Sequence, residues 1–292
     1  MSDLTSAHDR SNILAQVLSQ REQVTARLAH VKRVVAVMSG KGGVGKSALT
    51  ANLAVALAMQ GRAVGVLDAD IHGASAAAML GARGQQMLIG PGGARPAVGV
   101  ADVRVMSMDL FLSDDDSPVA WRHPGGLAAD SFVWRGTLEA NALREFLADT
   151  DWGTLDYLLI DMPPGADRFE TLMRLAPGLS GALVVTIPSQ VSHLVVRRAI
   201  TSAWRAGAHL LGLVENMAGW VEGEDQRELF SGGRGETFAA EVGIPYLGHV
   251  PFDPDLSRAT DAGRPYMLEY SDTSTGRAIL TLATKLEEAL SL

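Results

Sequence analysis

Two lysines, a serine and a few aspartates carry the chemistry open to this chain. Lys46 and Ser47 close the run Ser39-Gly40-Lys41-Gly42-Gly43-Val44-Gly45-Lys46-Ser47, whose glycines let backbone N–H groups converge on one spot. The spacing Gly40-x-x-x-x-Gly45-Lys46-Ser47 is that of a phosphate cradle. Amides from Gly40 through Ala48 would hold the oxygens, Lys46 would reach the β- and γ-phosphates, and the Ser47 hydroxyl would ligate Mg²⁺. Further along, Asp68 and Asp70 flank Ala69, and Asp161 heads Asp161-Met162-Pro163-Pro164-Gly165. Carboxylates beside a Mg²⁺-nucleotide hold metal waters and orient the attacking water. Asp68 and Asp161 are read as the metal-side pair and Asp70 as the group that orients water. An aspartate that only caps the next turn also accounts for one of Asp68 and Asp70.

These groups need strands to deliver them to one edge. Arg33–Met38 is short, apolar and β-branched, as a buried parallel strand is, and Ala48–Met59 is rich in Ala and Leu, as a helix is. Further strands are expected over Ala63–Leu67, Tyr157–Ile160, Ala182–Thr186 and Leu210–Val214, with a helix from Pro188-Ser189-Gln190 to Ala206. The expected fold is a doubly wound α/β domain, its sheet mainly parallel with helices on both faces. Such sheets bind ligands at the C-terminal ends of their strands, where Asp68, Asp70 and Asp161 fall. Asn216 lies just beyond the last of these strands. Its amide can donate to adenine N7 and accept from the N6 amino group, and it can equally close a turn.

A second reading fits the same glycines. Gly40-x-Gly42-x-x-Gly45, with Asp68 near the spacing of a ribose-binding acid, also matches a dinucleotide fingerprint. That fingerprint needs neither Lys46-Ser47 at the helix start nor a second strand-end carboxylate such as Asp161.

Composition narrows the field. The chain has 292 residues, 47% of them hydrophobic, enough for one large α/β domain. A net charge of −8 argues against nonspecific nucleic-acid binding, so no nucleic-acid partner is expected. There are no cysteines, which excludes disulfides, thiol catalysis and any metal site built on this chain's own thiolates. Met1–Arg10 is polar without an apolar signal core, and no stretch is long and apolar enough to span a bilayer, so a cytoplasmic location is expected. Residues 1–31 read as an N-terminal amphipathic extension and 32–292 as one nucleotide-binding domain. Leu14, Val17, Leu18, Val24, Leu28 and Val31, with Arg21, Arg27, Lys32 and Arg33 nearby, suit either a basic helix for a membrane or partner, or a helix packed on its own domain. Residues 82–101 and 113–132 read as surface loops. From Ser274 onward, Ile279, Leu282, Leu286 and Leu290 share one face, as in a core-packing helix.

With Lys41 as an extra lysine, the Ser39–Ser47 loop resembles the deviant Walker A loop of the MinD/ParA-type ATPases. The runs Leu67-Asp68-Ala69-Asp70-Ile71-His72-Gly73-Ala74-Ser75 and Met79-Leu80-Gly81 resemble the Mrp/ApbC branch, P-loop ATPases of iron–sulfur cluster assembly and transfer. So do Val133-Trp134-Arg135-Gly136, Trp152-Gly153-x-Leu155-Asp156-Tyr157, Val214-Glu215-Asn216-Met217 and Val250-Pro251-Phe252-Asp253-Pro254. The likeness runs from about Val31 to about Tyr266. It implies a slow, partner-stimulated MgATPase working as a nucleotide-sandwich homodimer, with a client metalloenzyme or cofactor-assembly protein as partner; a membrane partner is not expected, because the last charges of the chain's C-terminal helix, Lys285, Glu287 and Glu288, are net acidic. It implies that Lys41 crosses the dimer interface to the partner's phosphates, that the Gly165 N–H senses the γ-phosphate, and that Asn216 and Pro251 belong to the nucleotide site. The alternative implied by the wider superfamily is an ATP-driven dimerisation switch that positions or recruits a partner.

Two departures stand out. The family pattern continues Thr-Gly-Asp after Pro163-Pro164-Gly165, whereas this chain has Ala166-Asp167-Arg168. The Cys-x-x-Cys pair that binds a [4Fe–4S] cluster in the cluster-carrying members falls, without gaps, on Glu222 and Asp225. Carboxylates do not replace soft thiolates in such a cluster, so none is expected on this chain's own ligands. This acidic segment reads as a solvated loop, or as a docking or weak hard-metal site.

Overall fold

A computed structural model describes residues 13–85, 88–90, 92–111, 132–165, 167–176, 178–222, 225–227, 229–230 and 234–291. In chain order the elements are α1 (Ile13–Leu28), β1 (Val31–Ser39), α2 (Lys46–Met59), β2 (Val64–Asp68), α3 (Ala76–Met79), β3 (Leu88–Gly90), β4 (Gly93–Arg95), β5 (Ala97–Val98) and β6 (Arg104–Met106). They continue with α4 (Phe132–Asp149), β7 (Leu155–Asp161), α5 (Asp167–Leu175), β8 (Gly181–Thr186), α6 (Gln190–Arg205), β9 (Leu210–Glu222) and β10 (Asp225–Arg227). The chain closes with α7 (Gly235–Val242), β11 (Tyr246–Phe252), α8 (Pro254–Asp261), α9 (Tyr266–Tyr270) and α10 (Ser274–Ala289).

Among the described residues the main sheet has nine strands, in the order β10-β9-β8-β1-β7-β2-β6-β5, with β11 also paired to β9. Every pairing from β9 through β6 is parallel, as is β11 with β9; β10 and β5 add antiparallel edges. The strand pleat sorts the core into two layers. Val34, Ala36 and Met38 of β1 face one layer with Val24 and Leu28 of α1, Phe146 of α4, Phe169 of α5, Ile200 of α6 and Phe238 of α7. Val35 and Val37 face the other with Leu53 of α2, Ala77 of α3, Met267 of α9 and Leu282 of α10. Helices thus cover both faces, which is why the central strands read as unbroken apolar runs.

Val24 and Leu28 of the N-terminal helix are buried in this core, as are Ile279, Leu282 and Leu286 of the C-terminal one. Among the described residues no helix is long and apolar enough to cross a membrane. Three expectations change. Residues 82–101 are not all loop, because β3 and β4 form a hairpin and β5 joins the main sheet. The strand begun at Leu210 runs on to Glu222 because β11 and β10 pair with its later part, so Asn216 sits inside β9 rather than beyond it. Glu222 and Asp225 are not in a loop: they end β9 and begin β10 as directly paired residues of a hairpin. Of the segment 113–132, residues 113–131 lie outside the described residues.

Candidate nucleotide site

The loop between β1 and α2 is built to leave amides unpaired. Helix α2 starts after Gly45, whose φ of 74° places it in the left-handed region and which offers no side-chain acceptor to the first turn. First-turn N–H groups and the positive end of the helix dipole therefore face whatever anion enters. A side chain at Gly45 would also strike Asn216, whose Nδ2 lies 2.3 Å from where a Cβ would be. Gly40 is needed for a different reason: the backbone of α6 at Val196 passes 2.6 Å from its would-be Cβ.

Lys46 folds back onto the strand edge. Its Nζ lies 2.5 Å from Asp161 Oδ1 and 3.4 Å from Ser47 Oγ, and the Thr50 hydroxyl also reaches Asp161 Oδ1, at 3.1 Å. Both partners of the pair are buried, with side chains 7% and 1% exposed. The other oxygen, Asp161 Oδ2, is buried with no hydrogen-bond partner among the described residues. A buried carboxylate oxygen left without a donor is costly unless something else supplies one.

Asp68 stands beside Asp161 in register on the neighbouring strand. Its Oδ2 accepts from the Ser75 and Ala76 N–H groups at 2.8 and 2.9 Å and from the Ser107 hydroxyl at 3.1 Å, and its Oδ1 accepts from the Asp70 N–H at 3.1 Å. Of its two readings, metal ligand and turn cap, these are the hydrogen bonds of a cap. Burial, then the Asp161 charge, raise its pKa to about 6 against those hydrogen bonds. Asp70 is half-buried, and its Oδ1 accepts from the Gly73 N–H at 3.1 Å, which ties its carboxylate into the Asp70–Gly73 turn.

The remaining candidates surround the loop. Asn216 Nδ2 donates to the Val44 carbonyl at 2.9 Å, so the amide braces the loop and its oxygen is the group left for a base amine. Met217 follows it with φ 57°, left-handed for a side-chain-bearing residue. Pro251 lies in β11 beside Val250, the partner of Asn216 across the sheet. Gly165 donates its N–H to the Ser39 carbonyl at 3.3 Å, and the Ser39 hydroxyl reaches the Lys41 carbonyl at 3.0 Å. Lys41 itself is half-buried and makes no ion pair among the described residues. The structure thus gathers Gly40 to Ala48, Asp68, Asp70, Asp161, Gly165 and Asn216 at one edge of the sheet.

The donor set fits a magnesium-bound nucleotide. Unpaired helix-start amides and Lys46 suit phosphate, while the orphaned Asp161 Oδ2 and the Ser47 hydroxyl suit a hard cation and its waters. Residues 30–287 match the family model described as ParA, NUBPL iron-transfer P-loop NTPase. The chain belongs to this ParA/NUBPL family. An iron-sulfur cluster carrier protein of Saccharolobus solfataricus is 40% identical over 281 residues, covering 95% of this chain and 90% of that protein. The cytosolic Fe-S cluster assembly factor NUBP2 of Bos taurus is 39% identical over 267 residues, covering 89% and 93%. Among solved structures, a nucleotide-binding protein of Archaeoglobus fulgidus in complex with ADP superposes with a TM-score of 0.71 at 35% identity, over 85% of this chain and 93% of that one. The cell division ATPase MinD of Pyrococcus furiosus, at 22% identity and a TM-score of 0.60 over 88% of this chain and 99% of its own, shares the fold. As a ParA/NUBPL P-loop NTPase the chain is a nucleotide-binding protein.

Some participants escape the motif. Thr50, on the same helix face one turn after Lys46, carries a signal of spacing; Ser107, which supports Asp68 from the start of another segment, carries none. Arg168, the last residue of the Ala166-Asp167-Arg168 run, forms an ion pair with Glu139 of α4.

Proposed function

We propose that this chain binds MgATP and hydrolyses it slowly, as a homodimer, to drive iron–sulfur cluster assembly or transfer on client proteins while holding no cluster on thiols of its own. The observation that carries this reading is the buried Lys46–Asp161 pair with its second carboxylate oxygen unpartnered, set at the mouth of an uncapped helix. A phosphate draws Lys46 off Asp161 and offers it a stronger, dianionic partner. Ser47 and Asp161 would hold the metal, and Asp68, consumed by its capping bonds, positions the Asp70 turn. Mg²⁺ when bound neutralises charge developing on the β- and γ-oxygens. Asp70 orients the attacking water, and the Gly165 N–H, already tied to Ser39, turns toward the γ-phosphate. Lys41 reaches the partner protomer's phosphates. Asn216 Oδ1 accepts from the adenine amine, which favours ATP over GTP.

The relatives' printed roles support the iron–sulfur assignment, and a cytosolic relative supports a cytosolic location. The positioning-switch alternative has only fold likeness behind it, at 22% identity. The test is to use Asp70→Ala loaded with MgATP as bait in native extract, against the same protein with MgADP. Enrichment of iron–sulfur enzymes or assembly proteins in the ATP arm is expected; enrichment of division or partition machinery alone would overturn the reading. Anaerobic reconstitution with iron and sulfide should leave no stoichiometric cluster after gel filtration.

A further inference from the structure

Two segments that flank the site carry basic side chains that meet on one carboxylate outside it. His72 lies two residues after Asp70, inside the turn closed by the Gly73 N–H, which reaches both the Asp70 carbonyl and its Oδ1 at 3.1 Å. Arg168 lies in the first turn of α5, three residues after Gly165, whose N–H reaches the loop at Ser39. Glu139, on α4 and 15% exposed, stands between them. Its Oε1 is 3.1 Å from His72 Nε2, and its Oε2 pairs with the Arg168 guanidinium. Each carboxylate oxygen serves one segment.

Physical chemistry favours this arrangement only with all three members present. A cation in the first turn of a helix opposes the helix dipole, so Arg168 is disfavoured there unless an anion faces it. Removing Glu139 would leave two cationic or polar groups side by side with no shared acceptor. The pairs are too exposed on their basic side, 55% for His72 and 35% for Arg168, for stability to be their main effect. Their effect is on position: Glu139 connects the turn that holds the Asp70 carboxylate with the turn that follows Asp161.

We infer that Glu139 is a positioning residue that locks the Asp70 turn and the Pro163-Pro164-Gly165 turn into one unit, so that both answer to the nucleotide's terminal phosphate together. This rests on the ATPase reading of the site. Among the described residues Glu139 makes no hydrogen bond or ion pair with Lys46 or Ser47, so it acts through His72 and Arg168 rather than on phosphate.

The test has two arms. In the first, amide hydrogen exchange of the nucleotide-free protein is compared for wild type, Glu139→Gln, His72→Ala and Arg168→Ala. Glu139→Gln is expected to speed exchange in peptides covering both 69–75 and 164–172. His72→Ala should loosen the second peptide and Arg168→Ala the first, although neither residue lies in the peptide affected. Unchanged exchange in either peptide of Glu139→Gln, or effects confined to the mutated side, would overturn the inference. This arm needs no turnover, so it stands even if the chain hydrolyses no ATP, a result that would sink only the ATPase reading.

In the second arm, Glu139→Gln should lower kcat about ten-fold with KM for ATP within about two-fold, less than the roughly 10²-fold loss of a full 1 Å misplacement. Glu139→Asp, which keeps the charge, should recover part of kcat. An unchanged kcat, or a kcat loss matched by weakened ATP binding and faster exchange throughout the domain, would mark Glu139 as merely structural and refute the inference.

Discussion

Replacing Asp68 with asparagine removes a buried charge and keeps its shape. Burial and the adjacent Asp161 raise the Asp68 pKa from 3.8 to about 6. Between those values the folded chain keeps a proton on Asp68 that the unfolded chain has released. A raised carboxyl pKa makes the folded state the better proton binder, so stability falls as pH rises through this window and levels off above about 6. At about 1.4 kcal/mol per pKa unit the full fall is about 3 kcal/mol, of which about 2 kcal/mol lies between pH 4.5 and 7.5. Asparagine cannot titrate, so the stability of wild type minus that of Asp68→Asn should drop by that amount across the interval. The variant's NH₂ group would face the Asp70 N–H, a lost hydrogen bond of about 1 kcal/mol that is independent of pH and moves the offset, not the slope. The assay is urea unfolding of both nucleotide-free proteins at half-unit pH steps in chelator. A difference that stays flat or grows with pH would refute the reasoning.

Lys46→Ala strands Asp161 in the interior and should cost about 3–5 kcal/mol in denaturant unfolding, with loss of fluorescent-ATP binding. Gly45→Ala forces a side chain into a left-handed residue and onto the Asn216 amide, a loss of about 1–3 kcal/mol from backbone strain alone. Adding Asn216→Ala removes the clash, so the double variant should melt above the temperature expected from adding the two single losses. Lys41→Ala should still bind ATP in a fluorescence titration, while phosphate release falls by roughly 10³-fold or more, the scale of a finger supplied in trans.

How much of this was legible in the chain depends on how local each feature is. The cradle is local: Gly40, Gly45, Lys46 and Ser47 sit within eight residues of one another, and their chemistry follows from their spacing. The central strands were equally plain, because helices cover both faces and leave Val34–Met38 of β1 and Tyr157–Ile160 of β7 apolar. The apolar run of β9 stops at Val214, so the sequence pattern ends the strand there, whereas pairing with β11 and β10 carries it through Glu215 and Asn216. That pairing is tertiary and leaves no mark in the local pattern. The same holds for Glu222 and Asp225, whose hairpin is set by cross-strand partners. Asp68 offers two readings at equal spacing, and nothing in the local pattern shows that Ser75, Ala76 and Ser107 converge on it. The Glu139 bridge spans residues 72, 139 and 168, too far apart in sequence for any motif to join them.

Steady-state phosphate release under saturating MgATP tests most directly whether this P-loop turns over ATP with Asp70 orienting the water. Wild type should release phosphate slowly but linearly, and Asp70→Ala should retain ATP binding while its release falls to the level of Lys46→Ala. Wild-type release no faster than that of Lys46→Ala, or Asp70→Ala turning over at the wild-type rate, would contradict it.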